Sequence, residues 1–415
     1  MHSSEVAPAA PSHEDSGLQV LPISGLETIG IIFGTNIGAG VLGMAFAARK
    51  TGYIPLLLCL AITCVLCTIT MLYLTEVALR TRGNRQLSGL ASRYLGGLGG
   101  WLLFLAVAAN SFGALTAYMA GSGSILLDLL GGYGMSKELG SILFIVPSVA
   151  VLYLGLKVLG AGNKVISISM IVIILALILA SIASQDARLS NLWLSRWQYV
   201  VPVFNLAVFV FGAQFLVPEL VRGNLSAPRK LPRLIMSGMA LTFVFVALIP
   251  ASVIALVGSD NLTQVATLSW GRALGQWAYY TANIFALLAM LTSYWGLGGC
   301  LFTNIFDHFR LGSETQKSKR LIVLAVVALP PFLLAYSGIA SFVNALYFAG
   351  TFGGVLMGII PVLLLNAARQ RGDVSSEFVC GWYAHRSVQW LIMATFFLSG
   401  VYAVVSLFGV LPESW

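Results

Sequence analysis

Three clusters in this chain place polar groups where an apolar helix would be expected. The first is FGTNIGAGVLG, Phe33 to Gly43, in which Thr35 and Asn36 stand among Gly34, Gly38, Gly40 and Gly43. The second is Phe211-Gly212-Ala213-Gln214-Phe215, with Pro218 a turn later. The third is the adjacent pair Thr292 and Ser293 in LLAMLTSYWGLGGCLF. Each glycine lowers helix propensity by about 1 kcal/mol relative to alanine. An unwound turn at the first cluster would expose carbonyl oxygens and N–H groups, which are ligands for ions and polar solutes. Asn36 is costly in an apolar setting unless its amide is bonded or faces a cavity. The spacings Gly34-x-x-x-Gly38 and Ala39-x-x-x-Gly43 also suit a small-residue packing seam. Thr292 and Ser293 fit hard oxygen ligands for a cation, or hydroxyls bonded to their own helix backbone.

The elements that carry these clusters are membrane spans. Apolar residues make up 58% of the chain and charged residues 9%, with 43 glycines. A soluble domain is about 25% charged. Eleven apolar segments reach the roughly 20 residues that a span needs. They lie near 26–49, 53–79, 100–129, 139–157, 161–184, 201–222, 234–258, 276–307, 321–336, 340–366 and 388–410. They read as helices, so the fold class is all-α integral membrane. The tightest boundary is at 336/340, where YSGIAS must turn the chain; without that turn there are ten spans. Spans 1 and 6, the two interrupted ones, occupy corresponding positions if the chain holds two five-span repeats. Such a pair is a sequence pointer to a transporter binding site, and an odd number of spans per repeat makes the two inverted. The expected organisation is a disordered tail at 1–22, a first repeat at 23–185, a second at 200–366 and an eleventh helix at 388–410.

Charge sets the orientation. Seventeen of the 23 Lys and Arg residues fall on one side if the N-terminus is cytoplasmic. The remaining ones are Arg49, Lys50, Lys137, Arg188, Arg196 and Arg272. The positive-inside rule then predicts a multi-pass protein of the inner membrane, N-terminus in the cytoplasm and C-terminus outside. Topology accounts for the net charge of +8, and no nucleic-acid partner is needed. Cys64 and Cys67 form a C-x-x-C within the second span, which reads as packing rather than redox or zinc chemistry.

These residues together resemble the hydroxy/aromatic amino acid permeases, the tyrosine- and tryptophan-specific group of the amino acid/auxin permease superfamily. GTNIGAGVLGM is similar to the first-span signature of that group, YLTEVALR to the end of its span 2, and FGAQFLVP and LTSYWGLGG to its spans 6 and 8. The resemblance implies a leucine-transporter-type fold of 5+5 inverted repeats plus one extra helix. It implies secondary active transport of an L-amino acid. The turn comprising Thr35, Asn36, Gly38, Ala39 and Gly40 would meet the substrate's carboxylate and supply part of a cation site. Phe211, Gly212, Gln214 and Phe215 would form the wall facing the side chain. Thr292 and Ser293, with Asn36, would complete the cation site. The chain departs from the tyrosine-permease pattern F-G-x-H-G, with Gln214 in place of histidine and Phe215 in place of glycine. Phe215 narrows the pocket, so the expected substrate is neutral, aromatic or smaller than tyrosine.

No cofactor is expected beyond a coupling ion, Na+ or H+. Sodium suits the neutral oxygens of Asn36, Thr292 and Ser293. A proton needs a buried titratable group, for which Glu76 and Glu219 are the candidates, with an inner gate as their other reading. Ion pairing of Glu76, Glu219 and Asp307 with nearby Arg and Lys is the plainer expectation. An enzyme would need clustered acid/base groups, but the four histidines lie in the tail or near inner loops. A channel fits repeat-related broken spans less well than a carrier does. The segment at 259–275 is expected to cover an outer vestibule.

Overall fold

The computed structural model describes residues 22–154, 156–314, 316–406 and 408. The expected tail at 1–22 falls outside these residues except for Pro22. Regular structure among the described residues is entirely helical. In order, α1 is Gly25–Asn36, α2 Ala39–Thr51, α3 Tyr53–Leu79, α4 Leu87–Leu130 and α5 Lys137–Leu154. They are followed by α6 Leu156–Ala183, α7 Val200–Val210, α8 Val217–Gly223, α9 Leu231–Val257 and α10 Ala266–Leu274. The chain ends with α11 Gln276–His308, α12 Lys317–Tyr336, α13 Phe342–Phe348, α14 Val355–Arg371 and α15 Arg386–Ser406. Nine helical stretches among the described residues are long and apolar enough to cross a membrane, and ten if the bent pair α1/α2 is one span. Ile168–Ala183 in α6 is a shorter apolar helix. The chain does turn between α12 and α13, where Gly338 takes φ 70°.

Local chemistry explains where the helices start and stop. Ser24 and Glu27 form a reciprocal cap at the start of α1, with Glu27 Oε2 accepting the Ser24 N–H at 2.7 Å. Gly96, at φ 76°, separates a short leading helix from the spanning part of α4. A π-helical turn at Ala349–Gly354 joins α13 to α14, where small residues let α4 and α7 approach closely.

α4 packs along α11, and α1 and α2 both pack on α9. Two ends are distinct. The arginine-rich end gathers the turns at 80–86, 224–230 and 309–314 and the segment 372–385. Asp373 is its clasp: its N–H donates to Arg80 O at 2.9 Å, and its carboxylate accepts from Arg93 Nη2 at 2.7 Å. At the opposite end α10 packs on α11, α9 and α2. Its Trp270 is fully buried and donates to Ser181 Oγ at 2.6 Å, while Arg272 pairs with Asp128.

Candidate functional site

The site is built from two interruptions. α1 stops at Asn36 and α2 resumes at Ala39, so Ile37 and Gly38 are the non-helical residues, and the helices meet at 43°. The N-cap residue of α2 is Gly38, which has no side chain to cap the helix, and the first N–H groups of α2 carry the positive end of a helix dipole. α7 stops at Val210; Phe211 and Gly212 leave the helix, and a tight 3-10 turn over Ala213–Leu216 leads to α8. The interruptions touch. A β-carbon on Gly40 would come within 2.9 Å of Val210 and 3.0 Å of the Phe209 ring.

α11 closes the third side. Ser293 is fully buried, and its hydroxyl donates to the Gly34 carbonyl at 3.5 Å. Its side chain fills the space a β-carbon on Gly38 would need, so only glycine fits there. Tyr118 of α4 is fully buried. Thr35 lies toward Gly296 of the same α11. Thr292 is turned away: its hydroxyl donates to Leu288 O and Ala289 O, each at 3.1 Å. Asn36 is buried and turns to α9, where its amide donates to Met239 Sδ at 3.4 Å. Gln214 is buried and faces α3, donating to Thr70 Oγ1 at 3.1 Å, while its Oε1 has no partner among the described residues. Phe211 and Phe215 are buried beside the second interruption. The backbone of Ala39 opens α2; its side chain lies outside the described residues.

The structure thus brings Thr35, Gly38, Gly40 and Ser293 together, sets Asn36 and Gln214 toward neighbouring helices, and leaves Thr292 bonded to its own helix backbone. Met239 and Thr70 had no sequence signal, because each is a single residue of an apolar helix that is not broken around it.

Glu76, Glu219 and Asp307 lie at the arginine-rich end, not at the interruptions. Glu76 is fully buried and accepts from Arg80 Nε at 3.0 Å, Arg369 Nε at 2.9 Å and the Cys380 N–H at 2.7 Å. Glu219 Oε1 accepts from Thr303 at 3.3 Å and Gln86 at 3.4 Å, with Arg222 3.8 Å away. Asp307 accepts the Gln86 N–H at 2.8 Å. α1 is tied to α8 at this end, with the Ile23 N–H on Gly223 O at 2.9 Å and Asn224 Nδ2 on Thr28 Oγ1 at 3.0 Å. In the segment 372–385, the hydrogen bond from Arg93 holds the Asp373 carboxyl below its ordinary range. Burial pushes the Tyr383 phenol up to about 12 and the Cys380 thiol well up.

A bundle of apolar spans, two of which break against each other in the interior, is the architecture of a membrane carrier. Comparison with solved structures agrees on the fold. MhsT in complex with L-phenylalanine superposes with a TM-score of 0.67 at 16% identity, covering 92% of this chain and 100% of that one. This is the leucine-transporter-type fold. The tryptophan/tyrosine permease family model matches residues 24–402, and the chain belongs to that family. Its relatives include the tyrosine-specific transport system 1 of Haemophilus influenzae, 26% identical over 83% of this chain and 89% of the relative. The tryptophan-specific transport protein of the same organism is 26% identical over 85% and 89%. The protein is a multi-pass permease and not an enzyme.

Proposed function

We propose that this permease is a cation-coupled symporter that carries a neutral L-amino acid, aromatic or smaller than tyrosine, by alternating access. The observation that carries the reading is the uncapped start of α2 set against the broken α7/α8 span. Its N–H groups suit the substrate's carboxylate, since a helix N-terminus carries about half a unit of positive charge. Phe211 and Phe215 would face the side chain. The specificities of the two relatives for tyrosine and tryptophan support an amino acid as the solute.

Sodium is the coupling ion we favour. The Gly34 carbonyl and the Ser293 hydroxyl are neutral hard oxygens already in contact, a donor type suited to sodium. Thr292 is the chain neighbour of Ser293, and its hydroxyl oxygen keeps lone pairs for a cation while its proton is donated to its own helix. Asn36 donates through its amide nitrogen, which leaves its oxygen as a possible ligand. Glu76, the proton candidate, is instead held by two arginines at one end of the bundle, and Glu219 lies beside Arg222 at the same end. Both suit an inner gate better than a mid-membrane proton relay.

The finer architecture belongs to the same proposal. α1–α6 and α7–α14 would be inverted five-span repeats with the breaks in corresponding positions, and α15 the added eleventh span. Ile168–Ala183 would end the fifth span. The arginine-rich end would be cytoplasmic, the α10 end outside, and the permease resident in the inner membrane. The test is uptake into proteoliposomes across the common amino acids, with sodium and proton gradients imposed separately. Uptake of a neutral amino acid that rises with external sodium at fixed pH is the expected result. Undiminished uptake without sodium, driven by an acid-outside gradient and lost in Glu76→Gln or Glu219→Gln, would transfer the role to protons.

A further inference from the structure

We infer that the recess at the outer end of α2 is a second, weaker site for the transported solute, one that recognises the amino acid as a zwitterion. The inference rests on the amino acid symport reading. Two adjoining cavities of about 390 and 310 Å³ open there and share Arg49, Arg196 and Asp260. Volumes of this order suit a small ligand. The walls hold both signs of charge and an apolar surface. Arg49, Lys50 and Arg196 face a carboxylate's chemistry, Asp260 that of an ammonium, and Phe46 and Leu194 that of an uncharged side chain.

The recess is a built feature. The segment from Arg188 to Arg196 is tied to both helices that flank it: the Arg196 N–H donates to Thr51 O and the Arg188 N–H to Ala255 O, each at 2.8 Å. Asn191 Nδ2 adds a bond to Ala255 O at 3.0 Å. Lys50 is steadied 5.5 Å above the Tyr199 ring. The guanidinium groups of Arg49 and Arg196 make no ion pair among the described residues, unlike Arg272, which is paired with Asp128. Cations are scarce on this side by the positive-inside rule, so topology does not account for three of them here. A helix C-terminus favours Arg49 and Lys50 at the end of α2, but it does not place Arg196 beside them. α2 itself, 13 residues long, runs from the recess to Gly38, so the recess lies one helix length from the central site.

The exposed position of Arg49 and Arg196 makes Arg49→Gln/Arg196→Gln a variant expected to fold. It is compared with the unaltered protein in liposomes of zwitterionic lipid, with L-tyrosine, L-tryptophan and L-alanine as probes. The apparent KM should rise about fivefold at low ionic strength with the maximal rate unchanged, and the gap should close in high salt. Equilibrium dialysis should show one fewer amino acid bound per chain at saturation. An unchanged KM and stoichiometry, with uptake intact, would overturn the inference and leave the transport reading standing. A KM difference that appears only when anionic lipid is present would overturn it too, since the recess would then hold a lipid headgroup. No uptake of any common amino acid by the unaltered protein would overturn both.

Discussion

The two broken spans differ in what they offer a ligand. Between α1 and α2 the break is short and glycine-rich, and what it exposes is backbone: the Gly34 carbonyl, held by Ser293, and the uncapped start of α2. Between α7 and α8 the break is longer and carries Phe211, Gln214 and Phe215, all buried. Under the proposed function, the first break meets what every amino acid shares, the carboxylate, and the second meets what distinguishes them. A carrier built this way changes its substrate by changing the second break and loses all transport when the first is filled.

The largest effect should follow from filling the first break. Gly38→Ala sets a methyl group onto Ser293, and overpacking of a buried site costs about 1–3 kcal/mol. Uptake of every substrate should fall at least about tenfold, by the same strain. Ser293→Gly in the Gly38→Ala background relieves the clash, so recovered substrate binding measured by dialysis would show that space at this turn is the cause. If Gly38→Ala transports normally, the two breaks do not divide the labour as described.

Next in size is the second break. Phe215→Gly should shift the ratio of aromatic to small substrates by about tenfold toward the aromatic, within the range that pocket volume gives. Uptake competition between L-tryptophan and L-alanine measures it. An unchanged ratio would remove Phe215 from the pocket wall.

Thr292→Ala should have a smaller effect, raising the sodium concentration for half-maximal uptake about threefold, because one neutral oxygen among several is lost. Fluorescence or uptake titrations with sodium at fixed pH would show it. No change would leave Thr292 as a hydroxyl bonded only to its own helix, as its bonds to Leu288 and Ala289 describe.

The smallest effect should come from the arginine-rich end, remote from both breaks. Asp373 titrates below its ordinary value because Arg93 bonds its ionised form. The clasp is therefore fully present above the ordinary aspartate value of about 3.9 and is lost as pH falls through the lower folded value. Thermal stability should drop more steeply with acid in the unaltered protein than in Asp373→Asn, whereas the ratio of substrates should stay as it was. A changed substrate ratio in Asp373→Asn would tie this end to the second break.

The amino-acid sequence by itself determined the membrane class, the helical secondary structure, the family and the positions of both breaks. Each of these is a local or periodic property: apolar length, glycine content and a polar residue inside a span are visible within about 20 residues. The break expected within Phe33 to Gly43 is found at Ile37 and Gly38, and the one expected at Phe211 to Phe215 runs over residues 211–216. Tertiary structure alone decided where the polar side chains point. Ser293 and Thr292 are neighbours with the same chemistry, yet a turn of about 100° between successive helix residues sends one to Gly34 and leaves the other on its own backbone. Gln214 points to Thr70 and Asn36 to Met239, partners 144 and 203 residues away in the chain. Glu76 likewise found Arg369 at a separation of 293 residues. No local pattern carries such contacts, because they depend on how whole helices are rotated and set against one another.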